Sequence, residues 1–153
     1  MLFRSKADVT LDAPQVTVAT AANYTLDATG AAVLIKGGDA AAPVPLSAGG
    51  QLTIKARTIE QDGVLRAPLG SITFNATESI TLGDGLTSVS GDGLTVPFGF
   101  TTGGGNSLSY IGAGNVSTPV EKAISLDANG KTVTVAAGAT LDRKSTRLNS
   151  SHG

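Results

Sequence analysis

The sequence predicts an all-β chain wound as a parallel β-helix, and three observations predict it. A five-residue pattern, apolar–Ser/Thr–apolar–polar–Ala, occurs at Leu52-Thr53-Ile54-Lys55-Ala56 and starts again at Ile72-Thr73-Phe74-Asn75-Ala76. It is also present at Val9-Thr10-Leu11-Asp12-Ala13, at Tyr24-Thr25-Leu26-Asp27-Ala28 and at Ile124-Ser125-Leu126-Asp127-Ala128. Each copy alternates with period two, so one face is apolar and the other polar. Finally, the chain holds 20 Gly but only 4 Phe, 2 Tyr and no Trp. A short strand that cannot bury its face alone can bury it on a copy of itself, which is the logic of a solenoid.

The elements follow in chain order. Val9, Leu11, Val16 and Val18 share one face, Thr10 and Thr17 the other, and Pro14 takes the corner because it cannot donate to a ladder. Tyr24 opens a second coil that Ala32-Val33-Leu34-Ile35 continues and Gly37-Gly38-Asp39 turns. Residues 39–50 (DAAAPVPLSAGG) form a loop, an edge segment around Pro43 and Pro45, or a linker between two sections. Residues 51–70 are the clearest coil. Leu52, Ile54 and Ala56 point inward, Ile59 begins a second side, Asp62-Gly63 turns, Val64-Leu65 makes a third side, and Pro68-Leu69-Gly70 returns the chain. Three short strands and three turns in about 20 residues match one coil of a parallel β-helix. The next coil uses Ile72, Phe74, Ala76, Ile80 and Leu82, turns at Gly83-Asp84-Gly85 and ends on residues 86–89.

The period then breaks. Residues 91–121 are an excursion holding half of the aromatics, Phe98, Phe100 and Tyr110. Two β-prone runs, residues 95–101 and 107–111, flank Gly103-Gly104-Gly105-Asn106 and predict a hairpin outside the helix. Ile124 to Ala128 rejoins the stack, Asn129-Gly130 turns, residues 133–135 make the second side and Thr140-Leu141 begins the third. A β-sandwich also has short strands and turns, but its hairpins do not require like residues to return at like phase. Here Thr stands over Thr over Ser, and Ala over Ala over Ala.

Composition narrows the function. With 15% charged residues and a net charge of −1, the chain lacks the Lys/Arg cluster of a nucleic-acid footprint. No Cys is present, which excludes disulfide and thiol chemistry. No apolar run approaches the ~20 residues of a membrane-spanning helix, so no membrane insertion is expected. Met1-Leu2-Phe3 is cut short by Arg4 and is too brief for a signal-peptide core, so an export signal would lie on sequence outside this chain.

Motifs with chemical meaning are few. Gly130-Lys131-Thr132 lacks the earlier Gly of a phosphate loop, since Ser125 occupies that place, and a strand rather than a helix follows. Gly83-Asp84-Gly85 and Gly91-Asp92-Gly93 are spaced as turns, not as calcium-binding nonapeptides. Asn23, Asn75 and Asn115 begin glycosylation triplets of the kind that arise by chance in a Thr-rich outer face. Asp12, Asp27, Asp127 and Glu60 are the candidate catalytic carboxylates. The three Asp hold one repeated place, as on a solvated strand face, whereas an acid–base pair needs carboxylates converging from different places. No catalytic, cofactor-binding or metal-binding residue is expected, and no cofactor. Phe98, Phe100 and Tyr110 are the candidate ligand contacts, by stacking on a sugar or receptor, or else they cap a local core.

Residues 142–152, DRKSTRLNSSH, resemble the in-frame translation of a common sequencing adapter, codon for codon. The expectation is a shaft over residues 1–141 and a non-native, disordered polar tail over 142–153, with the natural chain continuing beyond Leu141. The only His, His152, belongs to that tail. The tail sets one acid against three bases, leaving −3 on residues 1–141.

Residues 61–70 (QDGVLRAPLG), Leu82-Gly83, residues 86–90 (LTSVS), 95–99 (TVPFG) and 133–142 (VTVAAGATLD) together resemble the filamentous haemagglutinin-like adhesins. The resemblance covers most of residues 8–141 and is weak over 31–47. It implies a right-handed parallel β-helix, exported through an outer-membrane two-partner secretion transporter to the surface of a Gram-negative bacterium. It also implies adhesion to a receptor or glycan on a host or neighbouring cell, biofilm formation or contact-dependent inhibition. The expected function is a structural shaft segment. The alternatives are a binding module acting through residues 91–121, or a carbohydrate-active β-helix enzyme. Uncapped sheet edges at both ends predict association or fraying of the isolated chain.

Overall fold

The computed structural model describes residues 1–97, 99–110 and 116–144, with backbone alone at 101, 105, 110 and 116–119. Among these residues the strands are β1 (Leu2–Arg4), β2 (Val9–Asp12), β3 (Val16–Thr17), β4 (Asn23–Lys36), β5 (Gln51–Gln61), β6 (Val64–Arg66) and β7 (Ser71–Leu82). They continue with β8 (Leu86–Ser88), β9 (Gly99–Thr102), β10 (Ser107–Tyr110), β11 (Val116–Pro119), β12 (Ala123–Asp127), β13 (Thr132–Val135) and β14 (Thr140–Asp142). The protein is all-β, and its sheets are mostly parallel.

The largest sheet runs β1-β4-β5-β7-β12, with β2 also on β4 and β13 also on β7. Its register is the one the repeated pentapeptide predicts. Leu26 lies on Ile54, Ile54 on Phe74 and Phe74 on Leu126, all in parallel. Thr25, Thr53, Thr73 and Ser125 form the neighbouring row. Stacked like residues bury one another: Ile54, Ile59, Ile72, Phe74 and Ile80 are fully inaccessible to solvent. Phe74 is the one fully buried ring among the described residues of this largely aliphatic core, and Tyr24 packs against it partly buried.

The long strands bend where their Ala stands. Between Ala56↔Ala76 and Thr58↔Ser79, the single Arg57 faces both Thr77 and Glu78, a bulge that turns the strand. Arg57 Nη1 donates to Glu78 Oε2 at 3.0 Å across it. The small methyl groups of Ala28, Ala56 and Ala76, all buried, leave room for the corner.

A second parallel sheet orders as β14-β8-β6-β3. Here β3 pairs directly with β6 (Val16↔Leu65), although β4 lies between β2 and β5 in the large sheet. The run after β4 is displaced outward as a loop. Its flanks, β4 and β5, are paired neighbours, so the loop does not separate two sections. Pro43 and Pro45 could not have completed a ladder there.

The excursion forms its own antiparallel sheet, β11-β10-β9. The expected hairpin is present: Phe100 pairs with Ser109 across a 3₁₀ turn at Gly103–Gly105. The sequence did not reveal β11, which adds Val116–Pro119 on the other side of β10, or β1. Asp142, first residue of the adapter-like segment, is the last residue of β14 and pairs with Ser88. Arg143 Nε donates to the Lys122 carbonyl at 2.6 Å. The rest of the expected tail, residues 145–153, lies outside the described residues.

Candidate functional site

Among the described residues, those singled out by sequence are not gathered into one place. Phe98 lies outside the described residues, as does Asn115. Phe100 sits on β9 with 51% of its surface exposed. Tyr110 ends β10 opposite Gly99, so the register pairs neither aromatic with the other. Leu108, next to them on β10, is buried. Among the described side chains, β9 and β10 offer one half-exposed ring, Phe100, on a short antiparallel sheet.

The candidate carboxylates have local occupations. Asp27 Oδ1 accepts hydrogen bonds from the Thr29 amide (3.2 Å) and hydroxyl (2.7 Å) at the first corner of β4. Asp127 stands three rungs from Asp27, with Lys55 and Asn75 between, and its Oδ1 accepts from the Asn129 amide at 2.8 Å. At these two corners an Asp thus satisfies an amide two residues on, whereas Lys55 and Asn75 hold that place on β5 and β7 and Asp12 is followed by Pro14, which has no amide to offer. The Thr29 hydroxyl and amide, with Arg4 and Lys55 nearby, hold the Asp27 carboxyl below its ordinary 3.8. Asp12 faces Lys36 Nζ at 3.5 Å. The Glu60 carboxyl is raised above its ordinary 4.5, chiefly because its protonated form hydrogen-bonds to Asp62, with slight desolvation and the Asp62 charge adding to the shift. Among the described residues there is no histidine beside any of these acids.

Two side chains that sequence reasoning passed over organise the second sheet. Gln61 is almost wholly buried, in a column with Leu11, Ile35, Leu82 and Val135. Its Nε2 lies within hydrogen-bond reach of the Gly63 carbonyl (3.1 Å), the Leu86 carbonyl (3.1 Å) and Thr87 Oγ1 (3.3 Å). Arg66 is 8% exposed and donates to the Ala40 carbonyl (2.8 Å), the Ala42 carbonyl (2.7 Å) and Gln15 Oε1 (3.1 Å). It fastens the displaced loop to the sheet. The signal for Gln61 was available, since alternation from Ile59 points residue 61 inward. Nothing local signals the Arg66 contacts, which span 24 to 51 residues of sequence.

Two hollows among the described residues bear on a candidate site. One, of about 180 Å³, lies beside Arg66, Ser88, Ser90, Asp92 and Asp142. Its polar groups largely bond one another: Ser88 Oγ to Asp142 Oδ2 (3.4 Å), the Asp92 amide to Ser90 Oγ (3.0 Å), Ser90 Oγ to the Lys144 carbonyl (3.3 Å). The other, of about 550 Å³, is apolar and opens beneath the first strands, lined by Phe3, Val9, Leu11, Val16, Tyr24 and Leu26 among others. It lies between the apolar face of the large sheet and β3 of the second sheet. Comparison with family models, with curated proteins and with solved structures finds no match to this chain.

Proposed function

We propose that the chain is a section of a right-handed parallel β-helix and serves as a structural shaft segment of a large secreted bacterial surface adhesin, of the filamentous haemagglutinin-like kind. The single observation that carries this reading is the vertical register Leu26–Ile54–Phe74–Leu126, with parallel neighbours throughout. Successive runs visit the first arm of the large sheet, its second arm and then the second sheet, as one winding of a three-sided solenoid does. Such a stack makes length and stiffness from repetition, and its outward faces carry short polar side chains. In this reading the protein leaves the cell through an outer-membrane two-partner secretion transporter, is neither a nucleic-acid binder nor an enzyme, and holds apart the parts that grip a host or neighbouring cell.

A second reading, a glycan- or receptor-binding module, is favoured by the half-exposed Phe100 on a sheet that interrupts the repeat. Immobilised chain, with and without residues 91–121, tests both on a glycan array and on epithelial cells. The shaft reading expects neither protein to bind. Binding that disappears with the deletion would replace it with the second reading, and hydrolysis or cleavage of an arrayed polysaccharide would end both.

A further inference from the structure

Residues 128–131 bridge Asp127 and Thr132, which pair with Asn75 and Ser79 on β7, and residues 28–31 bridge Asp27 and Ala32, which pair with Lys55 and Thr58 on β5. The two corners are built alike. Asp27 Oδ1 takes the Thr29 amide and Asp127 Oδ1 the Asn129 amide, and a glycine of positive φ follows each, Gly30 at +90° and Gly130 at +71°. Strand β4 has rungs on both sides, yet Thr29 and Gly30 are exposed and nothing lies within 4 Å of a β-carbon on Gly30. A corner of this kind therefore stays open with coils above and below it. Asn129 and Gly130 are exposed in the same way, again with nothing within 4 Å of a β-carbon on the glycine. What differs is the residue before that glycine. Asn129-Gly130 is the one Asn-Gly pair in the sequence. The Asn129 carboxamide makes no hydrogen bond among the described residues, whereas Asn106 Nδ2 donates to the Gly103 carbonyl at 2.8 Å. Asn23 and Asn75 lie on β4 and β7, where the next amides belong to Tyr24 and Ala76.

We propose that Asn129 is a site of spontaneous deamidation, at which water alone converts this corner to aspartate and isoaspartate. The Gly130 amide nitrogen gives up its proton and bonds to Asn129 Cγ. The Cγ–Nδ2 bond breaks, and ammonia leaves with that proton. Water then opens the five-membered imide at either carbonyl. Opening at Cγ restores the chain with Asp at position 129, and opening at the main-chain carbonyl leaves the chain running through Cγ, one methylene longer. Water is consumed, ammonia is released and no electrons change hands. Glycine suits the attacking position because it carries no side chain to crowd the nitrogen. The fold sets the pace. Positive φ at both residues and the bond from the Lys131 amide to the Ala128 carbonyl (2.9 Å) make this a type I′ turn. The imide ring holds ψ of residue 129 far from the roughly +47° of a left-handed residue, so the corner must open before the ring closes. The folded chain thus reacts more slowly than the unfolded one. Afterwards the two products differ. Aspartate, like asparagine, tolerates the left-handed region and keeps the turn. Isoaspartate inserts a backbone atom between β12 and β13, whose pairing with β7 fixes both ends of the corner. The inference rests on the corner and not on the adhesin role.

The test ages the full chain in mildly alkaline, ammonia-free buffer, folded and in unfolding urea. Its peptides are mapped by mass spectrometry, and isoaspartate is counted by enzymatic carboxyl methylation. In the folded chain Asn129 should convert at least about tenfold faster than Asn23, Asn75 or Asn106, the ratio given by a barrier lower by about 1.4 kcal/mol. It should convert faster still in urea. Gly130→Ala should slow the reaction several-fold in urea, where strain in the turn plays no part. Aged chain rich in isoaspartate should melt at a lower temperature than fresh chain, whereas fresh Asn129→Asp should melt with the fresh chain. An Asn129 that stays intact, an unchanged rate in Gly130→Ala, or a folded rate equal to the rate in urea would overturn the proposal. So would isoaspartate-bearing chain that melts like fresh protein. The mapping of the unmodified sequence needs no variant, so that arm stands even if Gly130→Ala fails to fold.

Discussion

The Gly50 carbonyl occupies the place that a β-carbon on Gly70 would need. The two glycines stand on successive rungs just before β5 and β7, where Ser71 donates its amide to Gly50 at 3.1 Å. A side chain at 70 meets backbone, which cannot rotate away. Gly70→Ala is therefore expected to cost about 1–3 kcal/mol through forced backbone shifts. Gly130 is the contrast: its φ is +71°, but nothing lies within 4 Å of an added β-carbon. Gly130→Ala should cost about 1–2 kcal/mol from the left-handed conformation alone. Urea unfolding followed by far-ultraviolet circular dichroism measures both, and equal insensitivity at Gly70 would contradict the close stacking.

Phe74 fills the column between Ile54 and Leu126 and is completely buried. Phe74→Ala should destabilise by about 3–5 kcal/mol, as large-to-small changes in close-packed cores do. Phe74→Leu keeps an aliphatic column like the rest and should lose much less. A similar loss for both would mean that the ring makes a specific contact beyond filling space.

Gln61 and Thr87 give the third prediction. Leucine would suit the column chemically, since Ile35 and Leu82 are its neighbours. Yet Gln61→Leu leaves the Thr87 hydroxyl without its 3.3 Å partner and removes a donor from two carbonyls. The expected loss is about 1–3 kcal/mol, because an orphaned buried polar group costs more than the bond itself contributes. Gln61→Leu combined with Thr87→Val should recover part of it, measurable as a coupling in a double-mutant cycle.

Two carboxylates should impose opposite pH dependence. Asp27 is held below its ordinary value, chiefly by Thr29. The folded state thus binds its proton more weakly than the unfolded state, and the stability it contributes, present above 3.8, is lost as pH falls through the lowered value. Glu60 is raised above 4.5 by its bond with Asp62. Its contribution is present below that value and is lost as pH rises through the raised one. Carboxyl titration by NMR in wild type and Thr29→Val checks the first: the Asp27 midpoint should move up when the hydroxyl donor is removed. Glu60 should move down in Asp62→Asn.

Much of the architecture was legible because it is local and periodic. Alternation placed Leu52, Ile54 and Ala56 inward, repetition put Thr53 beside Thr73, and Asn129-Gly130 announced its turn through positive φ at both residues. The direct pairing of Val16 with Leu65 was not legible. It depends on a loop moving aside and on Arg66 reaching carbonyls far off in sequence, and neither leaves a periodic mark. β11 was hidden for another reason: Ser117 and Pro119 dilute the strand preference of Val116 and Thr118, and the short run is recruited by the edge of β10. The aromatic candidates illustrate the limit of composition. It marked residues 91–121 as different, but the β9–β10 register that separates Phe100 from Tyr110 arises from pairing.

The outward loop over residues 37–47 has one further consequence. Because β3 reaches β6 without it, the pairing behind is already complete, and the loop is fastened by Arg66, by Gln15 Nε2 on the Pro43 carbonyl (3.0 Å) and by the Asp39 amide on the Pro14 carbonyl (2.8 Å). Chain can therefore be lengthened between those fastenings and β5 without breaking a strand pair, so the protein can acquire decorations on that face, by insertion in evolution or by grafting a peptide epitope, while keeping its sheet register unchanged.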